Sequence, residues 1–285
     1  MTDPSALPER VLVYGGGRMG AGIAHAFVAA GSSVQVIETD TASARAAVDR
    51  VGSSLRKAAD KGALTEDLEV VFHRVTVSTG PNPDYGDVEL AIEAVPEDLE
   101  LKQSVFKQLE QALPHAVLAT NTSSLSIDAI ASGLSAPERF IGLHFFNPVP
   151  TSDLVEIVLG THTSAGLAED ARGWVSALGK TAIVVKDSPG FASSRLGVAI
   201  ALEAMRMVQE GVASAADIDT AMTLGYRHPV GPLRTTDIVG LDVRLAIAEH
   251  LARELGPRFE PPQLLRDKVA AGELGRKTGR GFYDW

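Results

Sequence analysis

VLVYGGGRMGAGIAHAF, residues 11–27, sets a short apolar run against a cluster of glycines and then a helix-forming segment. Val11 to Tyr14 read as a buried strand. Behind the glycines, Met19, Ile23, Phe27 and Ala30 recur with helical spacing, and Gly31 is a common punctuation for a helix end. SVQVIE (33–38) then alternates as a second strand and finishes in Glu38. The glycines fall as Gly15-x-Gly17-x-x-Gly20 between strand and helix. In a dinucleotide site they would give, in turn, a tight turn, close backbone approach to the pyrophosphate, and close helix–strand packing. The helix N-terminus offers N–H groups to phosphate charge. Glu38 stands where a carboxylate accepts hydrogen bonds from the adenosine ribose. Thr39 and Asp40 follow it, with no arginine to receive a 2′-phosphate, so NAD is favoured over NADP.

Further strand-like runs follow at 74–79, 87–95, 116–122, 139–146 and 181–186. Residues 41–69 are polar and helix-forming, too long for a minimal crossover, and read as a helical excursion. Ser54, Lys57 and Lys61 on it could meet an anionic ligand. After Lys186 the pattern becomes all-helical. Ser188-Pro189 reads as N-cap and first residue of a long apolar helix closed by Gly211, SAAD (214–217) as a capping box, and 237–255 and 261–271 as further helices. The fold class is therefore an α/β Rossmann-type domain with a mostly parallel sheet over 1–186, followed by an all-α domain over 187–285.

Composition narrows the chemistry. The 285 residues carry a net charge of −10, which argues against a nucleic-acid partner or an anionic membrane surface. There is no cysteine, so disulfides, thiol nucleophiles and thiolate metal sites are excluded. The N-terminus MTDPSALPER is polar and shows no secretory signal, and no apolar run is long enough to span a bilayer, so a cytoplasmic protein is expected. No HExxH or GxSxG pattern is present, and no metal is expected.

IGLHFFNPVP (141–150) places His144 and Asn147 in an oily run, and LVEIVLG (154–160) does the same with Glu156. Buried polar groups are costly unless satisfied. His144 ends one predicted strand and Glu156 lies in the next, which would return beside it. A histidine can hold or release a proton near neutrality, and a carboxylate behind it fixes the tautomer and stabilises the imidazolium. Asn147 can donate to a carbonyl oxygen. TNTSSLS (120–126) follows another strand at the end where the cofactor should lie, with hydroxyls at Thr122, Ser123 and Ser124. Each has a plainer reading: a structural histidine, an Asn-Pro turn, a helix cap, a solvent-facing glutamate.

Together these segments resemble the 3-hydroxyacyl-CoA dehydrogenases. GGGRMGAGIA, AIEAVPEDLELKQ, NTSSLSI, RFIGLHFFNPVP, LVEIV, KDSPGF, EGVASAADIDTAM, VGPLRTTDIVGLD and LGRKTGRGFYDW look like that family's motifs, in its order and over nearly the whole chain. The likeness is greatest to its short, stand-alone members acting on 3-hydroxybutyryl-CoA or similar acyl-CoAs. It implies His144 as catalytic base, Glu156 as its orienting partner, Ser123 on the substrate's C3 oxygen and Asn147 positioning substrate and nicotinamide. It implies an NAD site built from Gly15, Gly17, Arg18, Met19, Gly20, Glu38, Glu97, Lys102 and Asn121. Ser54 and Lys61 match positions that touch coenzyme A. The helical domain would dimerise and close over the acyl chain. The family's motif after SPGF carries an asparagine that reaches the active site; here Ser194 stands in that place. Two alternatives stay open to the sequence: a dehydrogenase of the same fold for a hydroxy acid without coenzyme A, and a non-catalytic NAD-binding protein.

Overall fold

A computed structural model describes residues 6–80 and 87–285; the first half of the polar N-terminal leader lies outside the described residues. The chain divides into two compact units, ending and beginning at Asp187 and Ser188.

The first unit holds β1 (Arg10–Tyr14), α1 (Arg18–Ala29), β2 (Ser33–Glu38), α2 (Thr41–Asp60), α3 (Leu68–His73), β3 (Val75–Thr79), β4 (Leu90–Glu93), α4 (Leu99–Ala112), β5 (Val117–Thr120), α5 (Ile127–Ala131), β6 (Phe140–Phe145), β7 (Leu154–Leu159), α6 (Ala165–Ala177) and β8 (Thr181–Lys186). Its sheet runs β3-β2-β1-β4-β5-β6-β7-β8. All neighbours pair in parallel except β6 and β7, which are antiparallel. The sheet is thus mostly parallel, as read from the sequence. Every residue of β4 and β6 is buried, as expected for central strands covered on both faces. The order reverses between β1 and β4, and the carboxyl ends of strands at such a reversal form the ligand crevice. Asp40, Asp67, Asp98 and Ser126 each accept backbone N–H bonds at the start of α2, α3, α4 and α5.

The polar stretch 41–69 forms α2 and leads into α3. It does not stand clear of the sheet along its whole length. Ala47, Val51 and Leu55 are fully buried in the core shared with Phe27 and Val36, while the last turn, with Arg56 and Lys57, is exposed.

The second unit is helical: α7 (Ser193–Gln209), α8 (Ala215–Thr220), α9 (Pro232–Val239), α10 (Leu241–Leu255) and α11 (Gln263–Ala270). Leu202, Met205, Leu233, Leu241, Leu251 and Leu265 form its core. Two buried carboxylates tie down the chain's end. Asp237 accepts from Phe282 N, Tyr283 N and Trp285 Nε1 at 2.8–2.9 Å, and Asp219 accepts from Leu233 N and Tyr283 Oη. The burial of Asp219 and Asp237 explains the motifs around them as architecture.

Two expectations require correction. Ser188-Pro189 does not start α7, which begins at Ser193; Gly190 (φ +73°) and Phe191 (φ +50°) turn the backbone out of a right-handed helix first. The helix expected over 237–255 is two helices, because Gly240 sits at φ +111° between α9 and α10.

Candidate active site

β1 ends at Tyr14, and the chain turns at once through Gly15, whose φ of +98° few side chains tolerate. The Gly15 N–H donates to Ile37 O at 2.8 Å. Gly20 is pressed against this turn: a Cβ there would lie 1.7 Å from Gly15 O. Gly17 is different. It caps α1 in ordinary backbone conformation (φ −61°, ψ −167°), and nothing lies within 4 Å of a Cβ built on it. The fold's own packing demands Gly15 and Gly20 and leaves the space over Gly17 open. α1 has no side-chain cap and no acid in its first turn, so its N–H dipoles favour an anion there. Glu38 Oε1 accepts the Gly16 N–H at 2.7 Å, which holds the carboxylate beside the turn, and Arg50 Nη1 donates to Gly16 O at 3.1 Å. These residues fit a dinucleotide. Arg18 lines the adjoining cavity, whereas Met19 packs partly buried against the core.

His144 and Glu156 are directly paired across the antiparallel β6–β7 ladder. His144 Nδ1 lies 2.7 Å from Glu156 Oε2; the imidazole is 6% exposed and the glutamate 0%. An ionised carboxylate only accepts, so in this contact Nδ1 is the donor. Asn121, just past β5, accepts the Phe145 N–H on its Oδ1 at 2.9 Å and so ties the end of β5 to the strand that carries His144.

The loop after β5 is organised by one carboxylate. Glu97 Oε1 accepts from Thr122 Oγ1 (2.6 Å), Ser123 N (3.0 Å), Ser124 N (3.0 Å) and Ser124 Oγ (3.0 Å), with Ser123 Oγ more distant at 3.4 Å. Behind it, the Lys102 ammonium stands 3.5 Å from Glu97 Oε2 and donates to Glu93 Oε1 at 2.6 Å. Glu93 also accepts from Thr120 Oγ1 and Val95 N, both at 2.7 Å. Burial works to raise the pKa of both carboxyls. It prevails at Glu93, whereas at Glu97 the Lys102 cation and the loop's donors bring the value below the ordinary one. Lys102 is 1% exposed and meets Glu97 and Glu93 rather than the surface of the crevice.

A cavity of about 1140 Å³ in the first unit is lined by Arg18, Ser54, Lys57, Lys61, Asn147 and Lys180, among others. The structure therefore brings Ser54, Lys61 and Asn147, which are far apart in sequence, around one space rich in cations. Ser54 Oγ is 2.8 Å from His25 Nδ1. Burial and the nearby Lys180 cation push His25 down to about 4, so its imidazole is neutral at physiological pH.

The first unit matches the model of the 3-hydroxyacyl-CoA dehydrogenase NAD binding domain over residues 10–188, and the second matches that family's C-terminal domain over 190–285. The chain belongs to the 3-hydroxyacyl-CoA dehydrogenase family. It is 42% identical to a probable 3-hydroxybutyryl-CoA dehydrogenase of Bacillus subtilis, covering 97% of each chain. It is also 42% identical to the 3-hydroxybutyryl-CoA dehydrogenase of Mycobacterium tuberculosis, covering 97% of this chain and 98% of the other. Among solved structures it resembles M. tuberculosis FadB2 (TM-score 0.93, 40% identity, 98% and 99% covered). It also resembles the (S)-3-hydroxybutyryl-CoA dehydrogenase PaaH1 of Ralstonia eutropha (TM-score 0.92, 40% identity, 98% and 99% covered).

Within this 3-hydroxyacyl-CoA dehydrogenase, Ser194 lies in the first turn of α7, half-buried. Three site features escape a reading of the sequence: Glu93 behind Lys102, His25 behind Ser54, and Lys180 at the cavity wall, whose ammonium donates to Val149 O and Ser152 O at 2.7 and 2.6 Å. A charged residue inside the apolar strand LAIE was the one available signal for Glu93. No helix among the described residues is long and apolar enough to cross a membrane.

Proposed function

We propose that this chain oxidises (3S)-3-hydroxyacyl-CoA thioesters, of the 3-hydroxybutyryl-CoA kind, reversibly to 3-ketoacyl-CoA with NAD. The observation that carries the reading is the buried 2.7 Å contact between His144 Nδ1 and Glu156 Oε2 at the carboxyl end of β6. NAD, when bound, would supply the hydride acceptor for C3. His144 Nε2 takes the hydroxyl proton as the C3–O bond becomes a carbonyl, and returns it in the reverse direction. Glu156 stabilises the imidazolium so formed. Ser123 and Asn147 hold the oxygen in line, with Ser123 set by the Glu97 loop. Gly17 and Arg18 receive the pyrophosphate, Glu38 the ribose, and Glu97 and Asn121 the nicotinamide side; Gly15, Met19, Gly20 and Lys102 shape that site from behind. Ser54 and Lys61 at the cavity wall bind the coenzyme A moiety. Ser194 is a substrate contact from the helical unit. That unit also forms the homodimer contact, supported by Leu196 and Ile200, apolar residues of α7 that are 64% and 38% exposed.

The test follows loss of NADH absorbance with acetoacetyl-CoA, setting NADPH beside NADH and free acetoacetate beside the thioester. Turnover of the thioester with NADH, and little with either comparator, is expected. Equal turnover of free acetoacetate would transfer the protein to hydroxy-acid dehydrogenases that ignore coenzyme A.

A further inference from the structure

The connection between β6 and β7 joins the strands that carry His144 and Glu156, and Asn147 lies near its start. Asn147 is exposed, and its side chain makes no hydrogen bond among the described residues. Its place therefore follows from the backbone of the turn that comes next, Val149–Thr151. The N–H groups of Thr151 and Ser152 both donate to Pro148 O. The carbonyls of Val149 and Ser152 are answered from elsewhere: both accept from the Lys180 ammonium, at 2.7 and 2.6 Å.

Lys180 stands on a fixed backbone. It follows Gly179, whose φ of +70° closes the end of α6, and its own N–H donates to Val175 O at 3.0 Å. The next residue, Thr181, opens β8, pairs with Leu154 at the start of β7 and donates its N–H to Asp153 O. A half-buried lysine ordinarily carries its ammonium out to water. This one gives two of its three N–H groups to carbonyls of a single turn. Val149 is also packed on α1: it is 2% exposed, and a Cβ on Gly22 would come within 2.9 Å of its own Cβ. Packing on α1 and the Lys180 tether together hold the turn.

We propose that Lys180 is a positioning residue for the reaction, holding the carbonyls of Val149 and Ser152 and thereby setting where Asn147 presents its amide. This rests on the reading that the chain is a 3-hydroxyacyl-CoA dehydrogenase with Asn147 on the reacting oxygen. Lys180 lines the cavity beside Asn147 and Lys61, but its ammonium is engaged by the turn. Its effect therefore falls on the chemical step more than on thioester binding. A misplacement of about 1 Å in a group that aligns the reacting atoms can cost 10²-fold.

Lys180→Met, similar in length but without a donor, is expected to lower kcat for acetoacetyl-CoA reduction by about 10- to 10²-fold, with KM little changed. Lys180→Arg, which restores two donors, should recover most of that rate. In an Asn147→Ala background, Lys180→Met should change kcat by no more than about 2-fold, because the group it positions is gone. Urea unfolding of each variant separates a fold defect from lost positioning. If Lys180→Met does not fold, Lys180→Gln, which can keep one carbonyl bonded, is expected to show a smaller loss of the same kind. A raised KM with unchanged kcat would mean that Lys180 meets the ligand itself, and would overturn the proposal. So would an equal loss of kcat with and without Asn147, or a less stable variant that turns over normally. These outcomes leave the dehydrogenase reading standing, whereas no thioester turnover by the wild-type enzyme would remove both.

Discussion

His144→Gln is expected to lower kcat for acetoacetyl-CoA reduction by about 10²- to 10⁴-fold, with the folded state and NADH binding retained. Glutamine is close in size and keeps an amide donor that can face Glu156, so the buried carboxylate is not stranded. What it lacks is a basic nitrogen. In the proposed mechanism, Glu156 Oε2, 2.7 Å from Nδ1, orients the ring, and Nε2 exchanges a proton with the C3 oxygen. Without that exchange, hydride arrival at C3 would leave an alkoxide that only solvent can protonate. kcat, KM and NADH affinity measured together distinguish the cases: a fall in kcat alone is predicted. A folded variant with wild-type turnover would remove His144 from the chemistry.

Lys102→Met should cost about 3–5 kcal/mol of stability at neutral pH, because Glu93, fully buried, would lose the cation 2.6 Å from its Oε1. In a unit of this size that corresponds to a fall in Tm of roughly 6–20 °C. The pH dependence has a definite sign. Burial already raises the Glu93 pKa above its ordinary value, and Lys102 is the largest opposing influence. Removing the lysine raises it further. A carboxyl with a raised folded-state pKa gives stability that is present at low pH and lost as pH rises through that value. The variant's deficit is therefore greatest at neutral pH and shrinks on acidification as Glu93 takes a proton. Lys102→Met with Glu93→Leu should recover most of the loss at neutral pH, since it removes the stranded charge. Urea unfolding at several pH values checks this, and a single variant as stable as the parent at neutral pH would refute it.

The fold was largely legible because its decisive turn leaves no choice of residue. Gly15 needs a positive φ and Gly20 meets the Gly15 carbonyl, so glycines at this spacing between strand and helix point strongly to one kind of turn. His144 and Glu156 were legible for a related reason, as polar groups set in apolar runs whose strands must run side by side. The helix starts were less so: Ser188-Pro189 has the chemistry of a cap, but Gly190 and Phe191 turn the chain before α7 can begin. Lys102 and Glu93 are nine residues apart on a helix and a strand, a spacing without periodic meaning. His25 and Ser54 lie 29 residues apart, each in an unremarkable helical setting. Pairings of this kind become visible only when the layers are packed.

Hydride transfer to C3 of a coenzyme A thioester is the step on which every assigned role depends. NADH deuterated at the transferable C4 position, supplied with acetoacetyl-CoA, allows the label to be located in the product by mass spectrometry. One deuterium at C3 of (3S)-3-hydroxybutyryl-CoA is predicted, with the hydroxyl proton drawn from solvent through His144. Product without deuterium at C3, or no product from the thioester while NADH remains bound, would contradict this assignment.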